Sequence, residues 1–116
     1  MKRLQNFLVG VEQGETPLFS DFQDNGTMWA EHGARQVVRG VRFSEPFRKA
    51  PAVQVSLSMW DIHSDTNSRM EISAEDVTAE GFNLVFRTWG DTQVARARAS
   101  WFAIGELAHD DDWEID

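Results

Sequence analysis

The chain has 116 residues, 41% hydrophobic and 26% charged, which is one domain's length and a globular composition that excludes wholesale disorder. Eleven Lys and Arg against nineteen Asp and Glu leave a formal charge of −8, the wrong sign for nucleic acid or an anionic membrane surface. With no cysteine there is no disulfide, thiol nucleophile or thiolate metal site, and no apolar run reaches the roughly eighteen residues a membrane span needs.

Met1-Lys2-Arg3-Leu4 opens with positive charge, but Gln5 and Asn6 interrupt the apolar stretch and Glu12 and Glu15 close it. No signal peptide is read, which points to the cytoplasm or to release by a non-classical or particle-associated route. Leu4 to Val11 and Leu18 to Phe22 read as two N-terminal strands. Asn25-Gly26 supplies the positive φ of a tight turn, a plainer reading of Asn25-Gly26-Thr27 than a glycosylation sequon. Val37, Val38, Val41 and Phe43 make Gln36 to Phe43 strand-like, and Glu45-Pro46 and Ala50-Pro51 bracket a short loop. Val53, Val55, Leu57 and Met59 alternate with Gln54, Ser56 and Ser58 in the period of a half-buried strand. Asp61 to Ser68 is a polar loop, Ser73 to Val77 continues as strand, and Thr78 to Gly81 is a tight connection. Gly81 to Thr88 and Val94 to Ile104 complete the strands, and helical periodicity is absent. The pattern predicts an all-β, antiparallel sandwich or barrel. Residues 1–35 form its N-terminal strands and a loop, 36–106 its core and 107–116 an acidic tail. Asp110, Asp111, Asp112, Glu114 and Asp116 crowd that tail around Trp113; they read as a solvated, solubilising end before a calcium or docking site.

Little in the chain points to catalysis. His32, His63 and His109 stand apart with no zinc-site spacing, and each reads as a surface or structural histidine, so neither metal nor cofactor is expected. Ser58, His63 and Asp61 supply the residue types of a hydrolytic triad without a nucleophile elbow around any serine. The expectation is a protein that is not an enzyme.

Beyond Val41 an ordered set of short motifs appears. Val41-Arg42-Phe43-Ser44-Glu45-Pro46-Phe47 is followed by Pro51-Ala52-Val53-Gln54-Val55-Ser56-Leu57, then Asp61 and Arg69. Val77-Thr78, Gly81-Phe82, Thr88-Trp89-Gly90-Asp91-Thr92 and Ala99-Ser100-Trp101 complete it. In that order the chain resembles the H-type lectin domain, the family of snail agglutinin and the C-terminal domain of slime-mould discoidin. The resemblance implies a six-stranded antiparallel β-sandwich assembling as a parallel homotrimer, or as a hexamer built from it. Sugar sites would lie near the subunit junctions and take galactose or N-acetylgalactosamine without a metal. Carried over by position, Arg69 would bond sugar hydroxyls, Asp24 or Asn25 would be its acceptor partner, and Trp89 would wall the sugar across the boundary. Two positions depart from the family: Gly90 stands where members often carry histidine, and Ala95 where a further aromatic follows. Phe86 falls where some snail members place a bracing cysteine.

Each residue also has a plainer reading. Arg69 could be a surface partner of Asp61 or Asp65, and Trp89 core or trimer interface. Trp60 could flank the pocket, while Trp101 and Phe43 belong to the core. The leading expectation is a non-catalytic carbohydrate-binding protein whose partners are glycans. The alternative is a structural or attachment module of a phage-like particle or surface appendage, which the bacterial-looking composition permits.

Overall fold

A computed structural model describes residues 1–5 and 8–108. The strands are β1 (Val9–Ser20), β2 (Arg35–Arg42), β3 (Ala52–Ile62), β4 (Met70–Glu75), β5 (Gly81–Thr88) and β6 (Val94–Glu106), with one short helix, α1 (Thr27–Ala30). They form two three-stranded antiparallel sheets, ordered β1-β6-β3 and β2-β5-β4, which face each other as the sandwich that was expected.

Alternation decides which side chains meet between the sheets. On β3, Val53, Val55 and Leu57 turn inward and are partly buried, while Gln54, Ser56 and Ser58 face water. β5 is the central strand of its sheet and sends Phe82, Leu84 and Phe86 into the core. β6, central in the other, opposes them with Ala97, Ala99, Trp101 and Ala103. Large side chains on one sheet thus meet mostly alanines on the other, which lets the two layers pack closely. Phe43, Phe47, Phe82 and Trp101 form an aromatic cluster with ring centroids 5.0 to 6.1 Å apart, which puts Phe43 and Trp101 in the core. Phe86 is fully buried and meets Phe19 edge-on at 5.3 Å. At this position the core holds an aromatic ring whose burial contributes roughly 2–3 kcal/mol.

Several boundaries differ from the sequence reading. The two expected N-terminal strands are one, β1, and Phe22 lies beyond it in a turn. Pro17 does not break β1 because the strand lies at a sheet edge, and the register shifts between Pro17 and Phe19. β3 runs through Asp61 to Ile62, so the polar loop starts at His63. β4 stops at Glu75, where Asp76 takes φ +53° and turns the chain, so the strand does not reach Val77. At Asn25-Gly26, Asn25 holds the positive φ of +53° and Gly26 is extended, leading into the helix that periodicity did not show. His109 and the acidic residues Asp110, Asp111, Asp112, Glu114 and Asp116, with Trp113, lie outside the described residues. No helix among the described residues is long and apolar enough to cross a membrane.

Candidate functional site

Three loops gather at one end of the sandwich, joined by backbone bonds from Gly33 N–H to Gly90 O (2.8 Å) and from His63 N–H to Gln93 O (2.9 Å). The Thr88–Thr92 segment is their hub. Thr88 and Thr92 are buried, and their hydroxyls take hold of the loop that precedes β4. Thr88 Oγ1 donates to Arg69 O at 2.6 Å, and Thr92 Oγ1 donates to Asn67 O at 2.6 Å while accepting the Arg69 N–H at 3.0 Å. Arg69 is therefore fixed at both its N–H and its carbonyl, with its side chain left exposed.

Asp91 tightens the same loop from outside. Its carboxylate accepts the Asn67 N–H at 3.3 Å and the Asn67 Nδ2 at 3.1 Å. Those bonds, the side-chain one first, hold the carboxyl below the ordinary aspartate range, with a smaller contribution from the nearby Arg69 charge. Gly90, between them, takes φ +70°, and a Cβ there would stand 3.4 Å from Arg69 Cδ. The arginine stem thus lies along bare backbone. Among the described residues its guanidinium makes no hydrogen bond or ion pair. Among the described residues neither Asp61 nor Asp65 forms an ion pair with Arg69; Asp61 accepts instead from Arg96 Nε at 3.2 Å.

Trp89, just before Gly90, is 41% exposed. It walls a groove of about 530 Å³ with Ala34, Arg35, Gln36, Glu71, Arg87 and Thr88, and Arg69 is not among the lining residues. Arg35 braces the groove's end by donating to Gly33 O, Met28 O and Gly90 O at 2.8 to 3.3 Å.

Asp24 and Asn25 are exposed on the turn between β1 and α1, and among the described residues neither bonds Arg69. One chain therefore does not bring together the predicted set of Asp24, Asn25, Arg69, Trp89 and Gly90; it joins Arg69 to Gly90, with Trp89 walling a separate groove and Asp24 and Asn25 on the β1–α1 turn. Asp21 shapes the turn. Its N–H and that of Phe22 both donate to Ala95 O, and its Oδ2 accepts the Met28 N–H at 3.0 Å. A Cβ at Gly26 would meet the Asp21 carboxyl carbon at 2.4 Å, so that approach requires glycine. Beside the turn, Phe22, Gln23, Trp29, Ala95 and the Asp61–Arg96 pair line a hollow of about 340 Å³. Phe22 is 58% exposed there and packs edge-on against Trp29 at 5.1 Å. Sequence reasoning missed Phe22, Trp29 and Asp91. Asp91 stood inside a recognised motif, and the two aromatics flank the Asn25-Gly26 turn. Trp60 is exposed and does not line this hollow.

The triad residue types do not converge. Ser58 Oγ accepts from Arg98, Asp61 from Arg96, and His63 packs on Trp29 at 5.7 Å. Among the described residues no cluster of three or more His, Asp or Glu could hold a metal ion.

The H-type lectin domain model matches residues 38–104. A Fuscovulum blasticum protein designated ATP synthase subunits region ORF 7 is 56% identical over 93% of this chain and 94% of its own length. Discoidin-2 of Dictyostelium discoideum is 34% identical over 72% of this chain, which spans 31% of that protein. The structure of recombinant discoidin II superposes with a TM-score of 0.75 at 28% identity, over 94% of this chain and 40% of that one. A tailspike protein, gp49 from Pseudomonas phage LKA1, aligns at a TM-score of 0.54 and 19% identity over 86% of this chain and 15% of that one, a likeness of fold alone.

Proposed function

The chain belongs to the H-type lectin domain family, and from that premise we propose that it binds carbohydrate without catalysis, at sites shared between the subunits of a homotrimer. A sugar's vicinal hydroxyls donate and accept together, so a site for them pairs a guanidinium fork with a carboxylate or amide. The sugar's C–H face packs on an aromatic ring. Arg69, Asp24 or Asn25, and Trp89 supply those groups.

The observation that carries the reading is the state of Arg69. Two buried threonines immobilise its backbone while its guanidinium is left exposed and unpaired among the described residues. Fixing an arginine in that way is preorganisation for a ligand rather than a contribution to the core. Trp89 walls a groove that Arg69 does not line, which supports a site completed by a neighbouring chain. Gly90 and Ala95 supply no side chain beyond the backbone and a methyl, so the wall that would grip an acetamide is reduced. Galactose-type glycans fit this arrangement better than N-acetylgalactosamine.

A glycan array screened with and without chelator tests the reading. Chelator-insensitive binding is expected, and Arg69→Ala should weaken it by about 2 kcal/mol or more, roughly thirtyfold, with the fold intact. Undiminished binding by Arg69→Ala would place the sugar elsewhere.

A further inference from the structure

We propose that the groove beneath Trp89 is a second saccharide subsite, holding the next ring of an oligosaccharide through Gln36, Glu71 and Arg87. The inference rests on the lectin reading and extends it from one sugar ring to two.

Register places these groups in one row. Gln36 of β2 and Glu71 of β4 are the direct cross-strand partners of Arg87 on β5, so all three project from the outer face of the β2-β5-β4 sheet. Trp89 follows two residues beyond Arg87 and walls the same groove, about 530 Å³ in volume. That is within the roughly 300–1,000 Å³ of small-molecule sites. Arg87 does not wander. It donates to Glu75 at 2.7 and 3.3 Å and lies 3.4 Å from Glu71, while Ser73 Oγ holds Glu75 at 2.8 Å. Those contacts to Glu71 and Glu75 occupy three of the five guanidinium N–H groups, so the remaining ones can donate to a sugar hydroxyl while the exposed Glu71 carboxylate accepts from its neighbour. Gln36 adds an amide that makes no hydrogen bond among the described residues and can both donate and accept. Above the row, the exposed indole of Trp89 presents an apolar face of the kind a pyranose ring packs on.

Position and charge define the ligand. A ring walled by Trp89 and held by Arg69 of the neighbouring chain leaves the sheet face below the indole open, so the attached ring descends along Gln36, Arg87 and Glu71. Arg35 and Arg87 balance Glu71 and Glu75 around the groove, so it carries no net charge and suits an uncharged sugar ring.

The test is calorimetric titration of the full chain with the best array glycan and with its terminal monosaccharide, alongside the double variant Gln36→Ala/Glu71→Gln. The wild type should prefer the oligosaccharide by about tenfold or more. The double variant should lose that preference while keeping its monosaccharide affinity. Its backbone NMR spectrum serves as the check of fold, and the Trp89 indole N–H should shift on adding oligosaccharide to the wild type. An oligosaccharide preference that survives in the folded double variant overturns the subsite alone and leaves the lectin reading standing. A wild type that binds both sugars equally does the same. Silence of the wild type toward every glycan overturns both.

Discussion

Gly90 shows how one residue sets the geometry of the arginine beside it. Its φ of +70° turns the chain between Trp89 and Asp91, so that one faces the groove and the other reaches back to Asn67. A methyl at that position would sit 3.4 Å from Arg69 Cδ, which is ordinary contact, so space is no obstacle; the backbone is. Left-handed φ costs a residue with a Cβ roughly 1–2 kcal/mol. Gly90→Ala should therefore lower Tm by about 4 °C or more, and Gly90→Asn by less because asparagine tolerates that region. Differential scanning calorimetry decides it, and an unchanged Tm for Gly90→Ala would refute the account. Trp89 and Gly90 were singled out in the sequence through the local motif Thr88-Trp89-Gly90-Asp91-Thr92, and Arg69 through its place in the same ordered series. The clamp on Arg69 was not, since it joins hydroxyls to carbonyls that lie nineteen and twenty-five positions away.

The strands follow a similar division. Alternation in β3, in β5 and along β6 is local, and it identified those elements directly. β1 was harder, because Gly14 and Pro17 look like a break when only neighbours in sequence are considered. The thirteen-residue β6 lies alongside nearly all of β1 and holds it as one strand, a long-range pairing that no local window contains. Helix α1 was hidden for a related reason: its first turn is held by Asp21, seven residues ahead of the Met28 N–H that it accepts. Asp91 is the titratable group that holds Asn67 in the 63–69 loop. Its carboxyl is depressed below the ordinary value, so its contribution is fully present above that value and is lost as pH falls through the folded one. The Asn67 side-chain and backbone amide signals should thus hold steady from neutral pH through the ordinary carboxylate range and shift only below it, with glycan affinity declining in step. In Asp91→Asn that acid transition should vanish from the Asn67 signals. Its persistence would assign the transition to another group.

At the scale of the whole molecule, the two outer faces differ in what they can cover. The β2-β5-β4 face carries Arg87 with Glu71 and Glu75, charges that are satisfied and wet. The β1-β6-β3 face carries Val9, Val11 and Phe102, at 43%, 64% and 45% exposure, beside Ala52 and Ile104. The second face also carries ion pairs, Arg96–Asp61 and Arg98–Glu15, so the contrast lies at its apolar end. Burying Val9, Val11 and Phe102 costs little desolvation, and a trimer should close there and leave the Trp89 groove open. Light scattering should then give a mass of about three chains, and Phe102→Glu about one. In a lone chain that substitution exchanges one exposed side chain for another and should change stability by less than about 0.5 kcal/mol. In the trimer it buries a charge. Loss of avidity for a multivalent surface would follow from dissociation wherever the sugar sites lie, since avidity needs only linked copies. Monovalent affinity separates the cases. A site assembled from Arg69 of one chain and Trp89 of its neighbour disappears with the trimer, so free sugar should no longer bind Phe102→Glu. Binding retained by a folded monomer would mean that one chain completes the site alone.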